Sequence, residues 1–148
     1  MRSGRRLGVD VGTVRIGLAQ CDPEALLATP LVTITAGKKP IEEICRIAEE
    51  ISAIEIIVGL PTSLSGHEGD AASKAREFAH KLHEQTPIPV RLVDERLSTV
   101  VATHAMRASR VNSRKARSSI DQAAAVVILQ SALDAERGSG KVPGELLR

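Results

Sequence analysis

The segment LGVDVGTVRIGLA, residues 7–19, determines which fold is expected for this chain. Its alternation of apolar and small residues predicts a β-strand, a tight turn and a second, antiparallel strand. The apolar residues of the first strand would face one side of the sheet and Asp10 the other. Gly8 and Gly12 leave bare backbone beside that acid, which would admit a metal ion or a phosphate closely. The alternative is that Asp10 is an ordinary polar residue on an exposed sheet face or in a turn.

The composition is that of an ordinary globular protein of 148 residues, 43% of them hydrophobic. With one phenylalanine and no tryptophan or tyrosine, the core must be aliphatic, and the composition argues against an aromatic stacking platform for single-stranded nucleic acid. Cys21 and Cys45 are predicted to be buried free thiols. No apolar run approaches the roughly 20 residues that span a bilayer. We therefore expect a cytoplasmic protein.

Positive charge is concentrated in residues 96–120, which carry +6 while the whole chain carries +2, so the remainder carries −4. The basic side chains of this segment are Arg96, Arg107, Arg110, Arg114, Lys115 and Arg117. A basic segment in an otherwise acidic protein is a candidate contact for a polyanion such as nucleic acid. The alternative is a solvated connection whose charges have no partner.

The elements after the hairpin alternate between strands and helices. We predict strands at 30–35, 54–58 and 90–93, helices opening at Pro40, Asp70, Leu97 and Ser118, and a loop or short turn over 107–117. This order predicts an α/β fold with a mixed five-stranded sheet, an antiparallel meander followed by parallel strands, and helices on its faces. Residues 1–137 would form a single domain and residues 138–148 a flexible tail.

Four acids fall at positions where such sheets bind ligands, the carboxyl ends of strands and an adjacent helix start. They are Asp10, the adjacent pair Asp94 and Glu95, and Asp121. Carboxylates without a matching histidine cluster suit Mg²⁺ or Mn²⁺. Each acid also has a structural alternative. On a strand only one of Asp94 and Glu95 can face Asp10, and Asp121 with Ser118 fits a capping box.

Four segments in order resemble the motifs of the YqgF family: VDVGTVRIGLA, VGLPTSLSG, VDERLST and SSIDQAAAVVIL. The resemblance extends from about residue 7 to residue 133 and therefore covers nearly the whole chain. Members of this family are described as Holliday-junction resolvases and as nucleases of pre-16S ribosomal RNA. Their fold is RNase H-like, which agrees with the order of elements predicted above.

The resemblance implies that Asp10, Glu95 and Asp121 are the catalytic, metal-binding acids, with Mg²⁺ (or Mn²⁺) as the cofactor, and it favours Glu95 over Asp94. Further motif positions that would contact phosphate are Arg15, Arg96, Ser98 and Thr99. The basic residues Arg107, Arg110, Arg114, Lys115 and Arg117 are expected to bind the nucleic-acid backbone as well.

The function expected from these features is Mg²⁺-dependent hydrolysis of phosphodiester bonds in structured nucleic acid. Processing of the 5′ end of pre-16S rRNA in ribosome biogenesis is the leading hypothesis, and resolution of Holliday junctions in DNA recombination and repair is the alternative. The partner would be structured RNA or branched DNA, with no membrane, and the protein a monomer or weak homodimer. Residues 10–13 also resemble the first phosphate loop of ATP-binding phosphotransferases, but no second domain is expected. A non-catalytic nucleic-acid-binding module would not need all three acids.

Overall fold

The computed structural model describes residues 1–61, 68–95 and 114–148, with the backbone alone for residues 114–120. The strands are β1 Arg6–Val11, β2 Arg15–Cys21, β3 Ala28–Thr35, β4 Glu55–Leu60, β5 Val90–Asp94 and β6 Glu145–Leu146. The helices are α1 Pro40–Glu50, α2 Asp70–Gln85 and α3 Arg114–Ser139. None of the helices in these ranges is long and apolar enough to cross a bilayer.

The strands form one mixed sheet in the order β3-β2-β1-β4-β5-β6. β1, β2 and β3 form an antiparallel meander, and β4 and β5 continue from β1 in parallel, as predicted. Six strands are described instead of the predicted five, because β6 pairs antiparallel with β5. A two-residue strand is too short to show a periodic pattern in the sequence.

The C-terminal segment therefore differs from the flexible tail that its composition predicts. Beyond the end of α3 the chain returns to the sheet through β6, and the side chain of Leu147 is buried in the core. The Leu147 amide also donates a hydrogen bond to the carbonyl of Val90. Glycine and proline in this segment accordingly form a connection that leads to a strand paired with β5.

The two faces of the sheet pack against different helices. Leu7 and Val9 of β1 are fully buried on the face covered by α1 and α2. The opposite face of β1 lies under α3, where a Cβ atom at Gly8 would meet Leu129 and the carbonyl of Ala125. The alternation predicted for β1 is thus observed, and Asp10, two residues after Gly8, faces α3.

Helix α3 begins at Arg114, whereas the sequence predicts a start near Ser118. Lysine, alanine and arginine favour helix, so the residues before Ser118 extend the helix instead of forming a loop. Asp121 consequently lies about two turns inside α3, and the capping-box interpretation of Asp121 is wrong. The helix predicted over 97–106 and the basic residues up to 113 lie outside the described residues.

At the amino ends of β1 and β4 the structure contains a partly buried arginine–glutamate network, formed by Arg2, Arg6, Glu55, Arg91 and Glu136. Arg2 Nη2 is 2.8 Å from Glu136 Oε1 and 3.1 Å from Glu55 Oε1. Arg6, which is fully buried, and Arg91 complete the network at 3.3 Å from Glu136 Oε2 and 3.1 Å from Glu55 Oε2. Hydrogen bonding from Arg2 lowers the pKa of Glu136 to about 2. Glu136 is therefore ionised at neutral pH.

Both cysteines are free, as predicted. Cys21 is buried and Cys45 half-buried, and burial raises the pKa of both thiols. A raised thiol pKa lowers the thiolate fraction at neutral pH, so neither side chain is poised as a nucleophile.

Candidate active site

Asp10 is the central acid of the candidate site. It is the penultimate residue of β1 and is 2% exposed. Its partner on β2 is Gly17. On the other side, the pairing of Val9 with Val58 places Gly59 of β4 beside it. Asp10 thus has a glycine on each neighbouring strand, which leaves room for other groups above the sheet on its α3 side.

The space above Gly17 is filled by the backbone of α3 at Asp121. A Cβ atom at Gly17 would collide with the Asp121 carbonyl. The next residue, Gln122, donates a hydrogen bond from Nε2 to Thr33 Oγ1 of β3 at 3.0 Å. Close packing and this bond together hold Asp121 against β2, the strand that pairs with β1 at Asp10. Asp121 is 2% exposed.

The space above Gly59 is filled by the carboxylate of Glu95 together with the side chain of Ile128. Glu95 directly follows β5, is 3% exposed, and its Oε1 lies 2.5 Å from the position that a Cβ atom at Gly59 would take. Alternation along β5 directs Asp94 to the other side of the sheet. The structure therefore places Glu95, and not Asp94, on the side that Asp10 and Asp121 share.

Arg15 is a basic residue that contacts one of these three acids. It opens β2 two residues before Gly17 and so lies on the same face of the strand. Its Nε–H donates a hydrogen bond to Asp121 Oδ2 at 3.0 Å. The side chain predicted to contact phosphate is thus bonded to one of the predicted metal ligands.

Two glycines that sequence reasoning had passed over, Gly17 and Gly59, shape the site. The sequence predicts that Gly8 and Gly12 leave room for a ligand beside Asp10. Instead, α3 occupies the space beside Gly8, and the Arg15 carbonyl in the turn occupies the space beside Gly12. A signal for Gly17 and Gly59 was present, since glycine inside a strand weakens it unless another group approaches closely.

A family model supports the same reading of the motifs. The RuvX model, described as Holliday junction resolvase, matches residues 4–135. This chain belongs to the RuvX family. The resemblance to YqgF proteins is thereby confirmed, because RuvX and YqgF denote the same family.

Relatives of this RuvX-family chain share about half of its residues. Proteins named "Putative pre-16S rRNA nuclease" from Streptomyces avermitilis and Streptomyces coelicolor are 55% and 54% identical to it. Each match covers 98% of this chain, and 95% and 89% of the respective relative.

Among solved structures, Thermus thermophilus RuvC in complex with a Holliday junction substrate is similar to this chain. The TM-score is 0.55, the sequence identity 14%, and the match covers 97% of this chain and 99% of that one. A likeness at this identity concerns the fold alone. It confirms the predicted RNase H-like fold.

The acids of this RuvX-family protein suit a divalent cation in kind but not in their present arrangement. Asp10, Glu95 and Asp121 offer only carboxylate oxygens, the donors that Mg²⁺ and Mn²⁺ prefer. Yet within residues 1–61, 68–95 and 121–148, no three histidine, cysteine, aspartate or glutamate side chains form a group that could hold a metal ion. The bond from Arg15 already engages one oxygen of Asp121.

Most residues predicted to bind the nucleic-acid backbone are not among those that the structure describes. Arg96, Ser98, Thr99, Arg107 and Arg110 lie outside the described residues. Arg114, Lys115 and Arg117 belong to the first turn of α3, but their side chains also lie outside the described part of the protein. Their contacts with phosphate stay predictions.

Proposed function

We propose that this RuvX-family protein is a nuclease that hydrolyses phosphodiester bonds in structured RNA, with Mg²⁺ or Mn²⁺ as cofactor and the 5′ end of pre-16S rRNA as substrate. The observation that carries the proposal is the placement of three buried carboxylates, Asp10, Glu95 and Asp121, on one side of the sheet. Carboxylates and phosphates repel each other, so such a site can act on a phosphodiester only together with cations.

The chain itself contributes preorganisation. Strand pairing on both sides holds Asp10, and the contacts of α3 with Gly17 and Thr33 hold Asp121. Ligands on strands and helices keep a more constant geometry than ligands on loops. A bound divalent cation would supply Lewis acidity and an activated water for hydrolysis. The role of the three acids would be to bind and orient it.

The choice of pre-16S rRNA rests on the relatives. Proteins more than half identical to this chain, and matched over most of their own length, bear names that refer to pre-16S rRNA. A protein with this substrate would act in the bacterial cytoplasm. Contacts to phosphate contribute binding affinity but do not depend on the base sequence. The acids and the basic segment would therefore act on RNA and DNA alike.

Resolution of Holliday junctions is the second candidate, because the description of the RuvX family refers to it. The same three acids would act, on DNA strands that exchange at a four-way junction. A RuvC-like fold is compatible with either substrate. We expect a monomer or weak homodimer, which light scattering would measure.

Cleavage of two labelled substrates tests the proposal. A 5′-labelled pre-16S rRNA fragment and a four-way DNA junction are incubated with the wild type, with Asp10→Asn and with the control Asp134→Asn, which changes an exposed acid of α3. We expect the wild type and the control to cut the RNA in Mg²⁺ or Mn²⁺. Ca²⁺, whose bonds are longer and whose geometry is looser, should not support cleavage.

Each contrary outcome overturns a different part of the proposal. Cleavage in excess chelator would overturn the metal dependence, and cleavage by Asp10→Asn would overturn the site. Preferred cleavage of the junction would replace RNA by branched DNA as the substrate. No cleavage of either substrate by the wild type would support a non-catalytic binding protein.

A further inference from the structure

We propose that a second copy of this chain docks on an uncharged face formed by strand β3, the loop before it and the outer side of α3. The uncharged face comprises residues 26–35 together with Gln122, Ala123, Val126, Val127 and Gln130. The inference goes beyond the proposed function, because it needs none of the three acids to be catalytic.

The uncharged face is built from two long segments without charge. Residues 25–37 and 122–133 contain no aspartate, glutamate, lysine, arginine or histidine, although 26% of the chain is charged. The centres of protein–protein interfaces are likewise depleted of charge, because a buried charge without a partner costs free energy. Without lysine or arginine the face cannot neutralise phosphates, so it is unsuited to bind nucleic acid. Its chemistry favours a protein as the partner.

An open groove of about 440 Å³ lies between β3 and α3. It is lined by Pro30 of β3 and by Gln122, Ala123, Val126 and Val127 of α3. Ala123 is exposed and the two valines are half-buried. Apolar side chains of a partner would remove these residues from water, which favours association.

The loop that precedes β3 presents two large apolar side chains beside this groove. Leu26 and Leu27 are 53% and 62% exposed. The Leu26 carbonyl accepts a hydrogen bond from Gln130 Nε2, and Gln130 lies about one turn after Val126 on α3. A projection and a groove are therefore neighbours on one face.

The backbone of this loop is held firmly although its leucines are exposed. The carboxylate of Asp22 accepts hydrogen bonds from three amides of the loop. Arg137 of α3 donates to the Ala25 carbonyl at 2.6 Å, and Ala25 has a left-handed φ of 59°, which costs free energy in a residue with a Cβ atom. A loop that is already ordered loses little conformational freedom when it binds, so it is preorganised for a contact.

The pairing of a projection with a groove favours a second copy as the partner. In a two-fold contact the same face occurs on both chains, so Leu26 of each copy would meet the groove beside Ala123 of the other. Pairing of β3 with another strand is disfavoured, although β3 is the last described strand on this side of the sheet. Pro30 has no N–H group to donate, and the register with β2 shifts at Ala19, its partner. We therefore expect the copies to meet through side chains.

Sedimentation velocity of the full chain at increasing protein concentration tests the inference. The wild type should pass from monomer to dimer as the concentration rises. Leu26→Asp and Ala123→Lys each place two like charges in the contact, so each should weaken self-association by roughly tenfold or more. The matched controls, Leu146→Asp on β6 and Ala71→Lys on α2, introduce the same charges at exposed positions elsewhere. They should associate like the wild type.

A mixture of the two variants separates a contact between copies from a folding defect. In a mixed dimer the new carboxylate of one chain meets the new ammonium group of the other, and the second contact keeps the original leucine and alanine. The mixture should therefore associate roughly tenfold more tightly than either variant alone. Melting temperatures show that each variant is folded. Leu26→Ser, which adds no charge, is measured in parallel in case the aspartate variant does not fold.

Three results would overturn the inference, and none of them bears on the proposed nuclease activity. A wild type that stays monomeric at every concentration would show that no second copy binds. Association of Leu26→Asp, Leu26→Ser and Ala123→Lys at wild-type strength would place the interface elsewhere. Folded variants that stay monomeric when they are mixed would show that Leu26 and Ala123 do not meet across the interface.

Discussion

The two ends of helix α3 carry buried carboxylates in contrasting surroundings. Asp121 and Glu136 are fifteen residues apart, about 22 Å along the helix. Glu136 lies in the arginine–glutamate network, where Arg2 and Arg6 both bond to it. Asp121 bonds to Arg15 in a group that also contains two further buried acids. Burial alone therefore does not distinguish the two carboxylates, whereas the described partners of each do.

We interpret the arginine–glutamate network as a stabilising cluster and the three acids as the proposed active site. In the arginine–glutamate network three arginines surround two glutamates, so each buried charge has partners of opposite sign. At the proposed site, three buried carboxylates lie on one side of the sheet, and Arg15 bonds to one of them. Substitutions at the two ends should consequently have opposite consequences for activity and stability.

The largest expected effect is on catalysis. Asp10→Asn, Glu95→Gln and Asp121→Asn should each slow RNA cleavage by roughly a hundredfold or more, since charge stabilisation of this kind contributes several kcal/mol. In chelator the melting temperature should stay close to that of the wild type, because each amide keeps the shape of the acid that it replaces. Single-turnover rates and thermal unfolding measure both effects, with Asp134→Asn as control. Full activity of Asp121→Asn would place the third ligand elsewhere.

Near the carboxyl end of α3, a substitution should lower stability and leave activity unchanged. Glu136→Gln should lower the free energy of unfolding by about 3 kcal/mol, because it leaves the fully buried Arg6 without its carboxylate partner. Urea unfolding measures this change, and the cleavage rate of the folded enzyme should stay that of the wild type. Glu50→Gln, which breaks an exposed pair on α1, should cost less than about 1 kcal/mol. Equal costs for the two variants would remove the contrast between the ends of α3.

The same network predicts a dependence of stability on acid pH. The pKa of Glu136 falls from its usual 4.5 to about 2 in the folded protein. Its ionised form therefore stabilises the fold fully above pH 4.5, and this contribution is lost as the pH falls towards 2. Over this range of pH, the free energy of unfolding of the wild type should fall by about 3 kcal/mol more than that of Glu136→Gln. Parallel curves of stability against pH would contradict the assignment.

The smallest effect on stability is expected at the basic start of α3. Replacing Arg114, Lys115 and Arg117 together by alanine should change stability by under about 1 kcal/mol for each residue. If these side chains neutralise phosphates, the slope of log affinity against log salt concentration should become less negative by roughly two to three units. Binding titrations at several salt concentrations measure the slope. Wild-type affinity and slope in the triple variant would exclude these residues from the nucleic-acid interface.

Much of the fold could be predicted from the sequence because it depends on local periodicity. Alternation in residues 7–19 predicts the hairpin and assigns Asp10 to the face opposite the valines. The β-branched run at 54–58 predicts the buried parallel strand β4, and the apolar spacing after Pro40 predicts α1. These patterns are visible without knowledge of the fold, because a strand or helix must present its apolar side to the core wherever it lies.

The tertiary structure alone decided which distant charges meet. Arg2 bonds to Glu136 across 134 positions of sequence, and Arg15 to Asp121 across 106. No local pattern encodes such a partner, because the pairing depends on where α3 crosses the sheet. The crossing in turn depends on Gly17 and Gly59, which admit the α3 backbone and the Glu95 carboxylate. The sequence thus predicted which acids are candidates for the site, whereas packing determined that Asp121 is bonded to Arg15.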